Sequence, residues 1–472
     1  MDNKKRDVNI VSLFSGCGGL DLGFHLAKNQ EYRYNIVWAN DFFNAACKTF
    51  SKNFKVDLYE NASEKVSKPS VYCGDISSFK FKEKLHNKEI DVVLGGFPCQ
   101  DFSLLRGNGN RKGINVKRGR LYMHFVRALI ELQPRFFVAE NVKGLVTANK
   151  GQAFKRILDD FENLNIFGEE IEEDCGYKLD KNGVKGYYIV HKKVVDFSKV
   201  GVPQKRQRLI IIGIRKDLIN EQQKEILKKR ISSIQQDNIF SKFPLTTLEI
   251  FYGKPLNKLN GEYKNIIQPF MQNIEKIDSK RKSEYMGAVF PKITLSAQKD
   301  YMNFNLIQND RNFDEAMNMH ENVLNELGFI DKNIDEIKFH DNSNDHFNEV
   351  QNVKDRMSFI PPGENHRFVK DTPYHVGALM SNIYKRVHPL KPSPTVIANG
   401  GGGTWGYHYA INRQRLTNRE RARIQTFPDW FMFKGKGSEI RTQLGNAVPP
   451  FGIKPFAEEL LNIFDEFIKF RD

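Results

Sequence analysis

The sequence predicts an α/β protein with a mostly parallel sheet in one domain and a second, smaller and irregular domain. Short apolar runs end in glycine or an acidic residue, as in residues 91–95, which is typical of buried parallel strands. A strand, a glycine turn and a helix follow one another in residues 8–27. The 472-residue chain is too long for one ordinary core, and its periodicity fades between residues 216 and 385. Two domains of different character are therefore expected.

The composition favours a polyanionic partner, because the formal net charge is +15. The chain is also rich in Lys, Asn and Ile, so clustered charge is better evidence than the total. The five cysteines are odd in number and lack the spacing of zinc ligands or of a disulfide framework, which predicts no metal and a reducing compartment. No apolar stretch approaches the ~20 residues that span a membrane, and residues 1–9 leave no room for a signal peptide. A soluble, cytoplasmic protein is expected.

The first predicted strand leads into a glycine turn. Residues 8–14 form a short β-rich run, residues 15–19 are Ser-Gly-Cys-Gly-Gly, and a helical pattern covers residues 20–27. This arrangement brings backbone N–H groups close to a nucleotide-like ligand. The turn departs from the GxGxxG pattern because Asp21 stands three residues after Gly18. A pyrophosphate site, and with it a dinucleotide-dependent oxidoreductase, is therefore disfavoured.

The second and third predicted strands end in acidic residues. Residues 35–39 lead into Asp41 and Phe42, and residues 71–75 end in Asp75. An acid about 20 residues past a glycine turn suits a ribose diol, and Phe42 suits stacking on a purine. The alternative is that Asp41 caps a helix and Phe42 is a core residue. Glycine, Asp41 and Asp75 at successive strand ends together predict one nucleoside pocket.

A fourth predicted strand, residues 91–95, delivers Cys99 into a polar loop. Ligands collect at the carboxyl ends of strands in open α/β sheets, and a thiolate is a strong nucleophile. The alternative is that Cys99 is a small apolar core residue, as unpaired cysteines often are. Residues 102–120 then hold six Lys or Arg, four glycines and no acid. Alone this would be a solvated loop, but beside Cys99 it suits closure over nucleic acid.

The strand after a predicted helix at residues 121–132 ends in Glu140 and Asn141. Glu140 is expected at the same sheet edge as Cys99, on the neighbouring strand. A carboxyl group beside a thiol can donate or share a proton with a heterocycle; otherwise Glu140 is a surface residue. Asn141 is expected to fix the loop or the backbone of Pro98.

Two arginines precede the next buried strand, residues 209–214. In an extended chain Arg206 and Arg208 point to one side. This placement suits them to hold an anion or to orient Glu140.

The middle of the chain has a different character. Residues 216–385 are polar and without repeats, and residues 308–351 resemble a disordered segment. A basic helix is predicted at residues 418–425, and an amphipathic helix is predicted at residues 451–470. The middle is therefore interpreted as a separate, variable domain with insertions.

Five segments resemble motifs of the cytosine-5 DNA methyltransferases, and they follow one another in the family's order. In this sequence they are Phe-Ser-Gly-Cys-Gly-Gly-Leu at 14–20, Gly-Phe-Pro-Cys-Gln at 96–100, Glu-Asn-Val at 140–142, Gln-Lys-Arg-Gln-Arg at 204–208 and Gly-Asn-Ala-Val at 445–448. The resemblance implies a Rossmann-like, S-adenosylmethionine-dependent methyltransferase sheet in residues 1–215 plus 436–472. Residues 216–435 would form a target-recognition domain with a hinge.

The resemblance implies S-adenosylmethionine as the cofactor. The turn at 14–20 would hold its methionine part, Asp41 its ribose hydroxyls and Phe42 its adenine, whose edge Asp75 and Ile76 would contact. The far end of the chain would close the pocket. The implied cofactor-binding residues are Phe14, Ser15, Gly16, Cys17, Gly18, Gly19, Leu20, Asp41, Phe42, Asp75, Ile76, Pro98, Asn446, Ala447 and Val448.

The resemblance also implies the chemistry. Attack by Cys99 on carbon 6 of cytosine would let carbon 5 accept a methyl group, while Glu140 would stabilise the intermediate at ring nitrogen 3, with Arg208 nearby. The base must first leave the duplex stack. The implied catalytic residues are Cys99, Glu140, Arg206 and Arg208, and the implied DNA contacts are Gln100, Ser103, Arg106, Arg111, Lys112 and Arg118.

The implied setting is a restriction-modification system, the family's commonest prokaryotic one. The protein would act as a monomer on double-stranded DNA, in the cytoplasm at the nucleoid, beside a cognate endonuclease that cuts the same site. A tRNA cytosine methyltransferase would share the catalytic motifs, although the large variable region favours sequence-specific DNA. A catalytically silent DNA-binding module is disfavoured by the intact Cys99 and Glu140.

Overall fold

The computed structural model divides into two compact units. It describes residues 5–62, 66–85, 88–98, 121–164, 169–236, 239–259, 261–275, 298–300, 302–303, 307–370, 372–398 and 406–468. The first unit comprises Met1–Val200, Gln207–Asn238 and Ala447–Asp472, and the second comprises Gly201–Arg206 and Ile239–Asn446. Residues 216–238 thus group with the first unit and residues 436–446 with the second. The boundaries of the two functional domains stay a prediction.

A sheet of eight strands is the centre of the first unit. The described strands are β1 (Arg6–Leu13), β2 (Tyr32–Asp41), β3 (Asp57–Tyr59), β4 (Ser70–Cys73), β5 (Val92–Gly95), β6 (Phe136–Val142), β7 (Tyr187–Asp196), β8 (Gln204–Lys205), β9 (Gln207–Arg215) and β10 (Ser393–Pro394). The order in the large sheet is β3-β4-β2-β1-β5-β6-β9-β7, while β8 and β10 pair in the second unit. Pairs from β3 to β6 are parallel, and β9 is antiparallel to β6 and β7. The predicted α/β fold is confirmed.

Helices cover both faces of this sheet. Those of the first unit are α1 (Gly19–His25), α2 (Asn44–Phe54), α3 (Phe81–Leu85), α4 (Leu121–Leu132), α5 (Gln152–Glu162), α6 (Glu169–Cys175) and α7 (Glu221–Ser233), together with the C-terminal Pro450–Ile463. On β6, the ring of Phe137 lies 5.8 Å from that of Phe125 on α4, and the ring of Phe136 lies 6.2 Å from that of Phe464. Because successive strand residues point to opposite faces, both faces are buried, which explains the continuous apolar runs of the central strands.

The strand register places the polar residues of interest at one sheet edge. Leu13 pairs with Asn40 on one side and with Gly95 on the other, and Gly95 pairs with Ala139. The residues that follow these positions therefore leave four adjacent parallel strands side by side. They are Phe14, Asp41, Gly96 and Glu140.

The C-terminal helix of the first unit packs closely on α1. A Cβ atom on Gly23 would lie 2.1 Å from Cγ2 of Ile453, and one on Gly19 would lie 2.4 Å from the carbonyl oxygen of Val448. The hydroxyl of Tyr34 on β2 also donates to the carbonyl of Ala457, at 2.9 Å. Glycine in α1 therefore permits a backbone approach that no side chain at these positions would allow.

The second unit contains a helix within the segment predicted to be disorder-like. Its described helices are α8 (Thr247–Tyr252), α9 (Glu262–Glu275), α10 (Phe313–Glu326), α11 (Gln351–Met357), α12 (Asn418–Ile424) and α13 (Gly437–Asn446), and Pro450–Ile463 of the first unit becomes α14. Across the part of the chain that the structure describes, no helix has both the length and the apolarity needed to cross a membrane.

The disorder-like interpretation of residues 308–351 is wrong for α10. The buried residues of this helix are Phe313, Ala316, Met317, His320, Val323 and Leu324. Their spacing follows the helical period, and the polar content that suggested disorder lies between them. His320 is buried with its Nδ1 atom 2.7 Å from Glu249 and its Nε2 atom 2.9 Å from the carbonyl oxygen of Phe243. Tertiary contacts, which the local composition does not reveal, therefore order the helix.

Candidate active site

The glycine turn is fixed to the end of β2 by backbone hydrogen bonds. Phe14 has a left-handed conformation, with φ of 54°. The N–H of Ser15 donates to the carbonyl of Asn40 at 2.9 Å, and the N–H of Gly16 donates to Oδ2 of Asp41 at 2.8 Å. The turn predicted at the end of β1 and the acid predicted at the end of β2 are therefore in direct contact.

The structure does not make Asp41 a helix cap. Its Oδ1 atom accepts the N–H of Phe43 at 2.8 Å, but Phe43 is itself the N-cap residue of α2, and α2 has no side-chain cap hydrogen bond. Burial raises the pKa of Asp41 above its ordinary value, although the N–H donors of Phe43 and Gly16 oppose that shift. Backbone donors thus hold both carboxylate oxygens, and the predicted role of Asp41 toward a ribose diol stays a prediction.

Phe42 is not the core residue of the alternative interpretation, because it is 82% exposed. The neighbouring turn is tied to the same strand end. The N–H of Gly74 donates to the carbonyl of Asp41 at 3.0 Å, and Oδ1 of the exposed Asp75 accepts the N–H of Ser77 at 2.9 Å. Ile76 is buried. An exposed aromatic ring and an exposed carboxylate therefore stand at adjacent strand ends.

The far end of the chain reaches the glycine turn through two of its three predicted residues. The Cβ atom of Ala447 lies 3.1 Å from the Cβ position that a side chain on Gly19 would take. Val448 is nearer still, through its carbonyl oxygen, and both residues are buried. Asn446 is exposed and ends α13 in the second unit.

The side chains of Cys17 and Leu20, both predicted to contact the cofactor, are buried. Burial raises the pKa of the Cys17 thiol well above its usual range, so it stays protonated.

Glu140 is held by Arg208 at the end of the neighbouring strand. The Nε atom of Arg208 lies 3.0 Å from Oε1 of Glu140, and the glutamate is 9% exposed. A Cβ atom on Gly96 would lie 2.9 Å from Oε2 of Glu140. Glycine at position 96 thus leaves the space that the carboxylate occupies. Glu140 therefore lies on the strand that neighbours β5, as predicted, while its predicted place beside Cys99 involves a residue outside the described chain.

Asn141 fixes the peptide that leads into Cys99. Its Nδ2 atom donates to the carbonyl of Phe97 at 3.0 Å, and its Oδ1 atom accepts the N–H of Val142 at 2.8 Å. Phe97 is buried against the ring of Phe125, at 5.9 Å between centroids. Phe97, the residue before the exposed Pro98, is therefore held by both its carbonyl and its ring.

The expectation that Arg206 and Arg208 share one side of an extended chain does not hold. The chain leaves the small sheet after Lys205 and enters the large sheet at Gln207, so the two arginines belong to different environments. Arg206 is buried in the second unit, where it donates to the carbonyls of Val396 at 3.0 Å and Gly445 at 2.9 Å. This position favours a structural role for Arg206 over the predicted catalytic one.

The predicted nucleophile and DNA contacts lie outside the residues that the structure describes. They are Cys99, Gln100, Ser103, Arg106, Arg111, Lys112 and Arg118. The described chain ends at Pro98 and resumes at Leu121, the first residue of α4.

Arg127, for which the sequence patterns predicted no role, supports the turn at Asp75 and Ile76. Arg127 lies fully buried on α4 and donates to the carbonyl of Ile76 at 2.7 Å and to the hydroxyl of Tyr177 at 2.8 Å. The Tyr177 hydroxyl in turn donates to Glu131 at 2.6 Å. A single arginine inside an apolar helix was the available signal, because a buried charge requires hydrogen-bond partners.

Comparisons with known proteins agree along the whole chain. The family model of the C-5 cytosine-specific DNA methylases matches residues 8–462. The DNA (cytosine-5-)-methyltransferase M.ApeKI of Aeropyrum pernix is 44% identical over 466 residues, which cover 96% of this chain and 98% of that protein. The Type II methyltransferase M.NgoFVII of Neisseria gonorrhoeae is 33% identical, covering 99% of this chain and 90% of that protein.

A solved structure shows the same fold. It is that of a protein described as a DNA modification methyltransferase encoded within an E. coli prophage. The TM-score is 0.53 at 21% identity, and the match covers 97% of this chain and 100% of the other.

Proposed function

Because the chain belongs to the C-5 cytosine-specific DNA methylases, we propose that it methylates a cytosine flipped out of a specific duplex sequence, through a covalent bond to Cys99. The family and the relatives make it a DNA (cytosine-5-)-methyltransferase of the restriction-modification type. The covalent adduct, the flipped base and the target sequence are what the proposal adds.

The observation that carries the proposal is the Glu140–Arg208 pair beside Gly96. Carbon 5 of cytosine is a weak nucleophile, so the ring must first be activated. Addition of the Cys99 thiolate to carbon 6 moves the ring electrons toward carbon 5. A carboxyl group positioned at ring nitrogen 3 stabilises that electron shift, and Glu140 is held in one orientation by Arg208 at 3.0 Å.

The remaining steps restore the ring. Carbon 5 accepts the methyl group, and its proton then leaves to a base. The bond between the Cys99 sulfur and carbon 6 breaks, which returns the electron pair to sulfur as a thiolate. Cys99 therefore ends as it began, and Asn141 keeps the peptide before it in place at the Phe97 carbonyl.

The residues of the glycine turn fit S-adenosylmethionine, which would supply the methyl group. Both oxygens of Asp41 retain acceptor capacity toward the ribose hydroxyls, and the exposed ring of Phe42 offers a free face to adenine. Asp75 and Ile76 stand beside them for the adenine edge, and Ala447 and Val448 line the turn at Gly19.

Double-stranded DNA is the proposed partner of the second unit and of the basic loop at residues 102–120. The net charge of +15 supports this partner. A base must leave the stack to reach a group at a sheet edge. In keeping with Type II relatives, the methylation would protect DNA from a cognate endonuclease, with the enzyme acting as a monomer in the cytoplasm.

Transfer of labelled methyl groups tests the proposal. Purified protein with labelled S-adenosylmethionine should label duplex DNA and not tRNA, and bisulfite sequencing of DNA from expressing cells should give one recognition sequence. If the label appeared on tRNA and not on DNA, RNA would replace duplex DNA as the proposed substrate. Binding of DNA without any transfer would leave only a binding module.

A further inference from the structure

A loop of the second unit, residues 372–384, exposes two adjacent apolar side chains. Leu379 is 95% exposed and Met380 is 59% exposed. Single exposed apolar residues are ordinary on protein surfaces and require no explanation. This pair differs because the loop that carries it is fastened through its backbone.

Three consecutive residues, 365–367, contact the backbone carbonyl groups around Leu379 and Met380 through their side chains. Nδ2 of Asn365 donates to Ser381 at 2.9 Å, and an NH2 group of Arg367 donates to Leu379 at 2.9 Å. The buried ring of His366 places Nε2 2.9 Å from the carbonyl oxygen of Ala378 and Nδ1 3.2 Å from that of Ile383. These three side chains thus fix the backbone at positions 378–383, while the side chains of Leu379 and Met380 are exposed to solvent.

The base of the loop is equally fixed. The ring of Tyr374 stacks on Phe359 with centroids 5.0 Å apart, and the Nε atom of Arg356 donates to the carbonyl of Tyr374 at 3.0 Å. The guanidinium of Arg356 also lies 4.9 Å from the ring centre of Tyr384. A loop anchored at both ends and along its backbone presents its tip in one position, which lowers the entropy cost of binding.

The charges around the loop favour DNA as the occupant. Residues 372–384 contain no Lys, Arg, Asp or Glu, whereas residues 351–391 contain seven Lys or Arg against three acids. Of these bases, Arg386 is buried and bonded to backbone carbonyls, while Arg367 and Lys370 are exposed. An apolar tip close to exposed basic residues matches a polyanion whose interior is apolar and stacked. Proteins that deform DNA insert such apolar side chains between base steps.

We infer that Leu379 and Met380 form an apolar wedge that inserts into the base stack of the recognition duplex. The inference rests on the proposed action on duplex DNA. The wedge stabilises the deformed duplex by burying apolar surface that is otherwise in water. Because neither side chain is charged, the contact adds affinity without releasing counterions, so it leaves the salt dependence of binding unchanged.

The test compares the wild-type chain with the double variant Leu379→Ala, Met380→Ala. We expect at least a tenfold weaker Kd for the cognate duplex, with the same slope of log Kd against log salt concentration and an unchanged KM for S-adenosylmethionine. A duplex with 2-aminopurine at successive positions of the recognition sequence should show unstacking at one step with the wild type and not with the variant. Val350→Ala, at another exposed apolar residue of the second unit, is the matched control.

The outcomes separate the inference from the function on which it rests. Equal Kd values and equal 2-aminopurine signals for wild type and double variant would overturn the wedge. So would unchanged DNA binding together with loss of self-association, which would make the pair a protein-contact surface. Failure of the wild type to methylate any duplex would contradict the proposed function instead; the Kd values of wild type and double variant for a fixed duplex of arbitrary sequence would then still decide the wedge. Both substitutions lie at exposed positions, so equal thermal midpoints should confirm folding.

Discussion

The charged residues that the sequence singles out are placed differently in the two units. In the first unit, Asp41 and Glu140 stand at strand ends, where backbone donors hold Asp41 and Arg208 holds Glu140. In the second unit, the basic helix α12 is entirely buried, with Arg423 donating to the carbonyl of Ile250 at 2.8 Å and paired with Asp429. A run of positive charge in the sequence therefore does not by itself indicate a charged surface.

The largest effect is expected at the end of β5 in the first unit. Cys99→Ala and Cys99→Ser should each abolish methyl transfer, since the carbon 6 adduct cannot form without a thiolate. Binding of S-adenosylmethionine, measured by calorimetry, should survive. Turnover at the wild-type rate in either variant would refute Cys99 as the nucleophile.

The second largest effect is expected for Glu140→Gln. It should reduce kcat by about 10²–10⁴-fold, the usual contribution of a positioned acid–base group. The amide keeps the shape of the side chain but cannot share a proton with ring nitrogen 3 and loses the charge that pairs with Arg208. Single-turnover methylation measures the effect. An unchanged rate would move the role of Glu140 from chemistry to packing.

Arg423→Met tests whether the buried arginines of α12 stabilise the second unit. Removing one partner of a buried ion pair leaves Asp429 and three backbone carbonyls without this donor, at a cost of about 3–5 kcal/mol in the free energy of unfolding. Denaturant unfolding measures this cost. The exposed pair of Arg33 with Asp7 offers the control Arg33→Met, for which about 1 kcal/mol or less is expected.

If α12 contacted DNA instead of stabilising the second unit, the effects on DNA binding and on stability would be reversed. Arg423→Met would then weaken duplex binding and lower the salt dependence, with little loss of stability. That result would contradict the structural role of α12.

The smallest effect on methyl transfer is expected for Arg127→Met, which removes the donor to the carbonyl of Ile76 and, as for Arg423→Met, also lowers stability because the residue is buried. The KM for S-adenosylmethionine should rise about tenfold, as loss of a charged hydrogen bond worth roughly 1.5 kcal/mol would give. The value of kcat and the Kd for DNA should stay near wild type. Arg127→Lys, which keeps a donor, should recover part of the KM; a fall in kcat alone would contradict a positioning role at the cofactor turn.

The sheet edge could be predicted because local patterns determine it. An apolar run of four residues followed by Gly96, and another followed by Glu140, identify strand ends that parallel pairing then aligns. The bond from Asn141 to Phe97 spans only two adjacent strands. Each of these contacts follows from the order of elements along the chain.

The position of Arg206 could not be predicted, because its partners Val396 and Gly445 follow it by about 190 and 240 residues. Helix α10 was missed for a similar reason, since its buried face is satisfied by Glu249 and Phe243 from a distant segment. The loop that carries Cys99 lies outside the described residues, so its predicted roles stay predictions.

The close approach of Gly19 to Val448 has a consequence for biosynthesis. The two residues are separated by about 430 positions, yet the first turn of α1 packs against the segment that leads into α14. A ribosome must therefore deliver nearly the entire polypeptide, including the whole second unit, before this contact can form. Contacts of such long sequence separation form late in folding, so the glycine turn is completed only after the second unit has been synthesised.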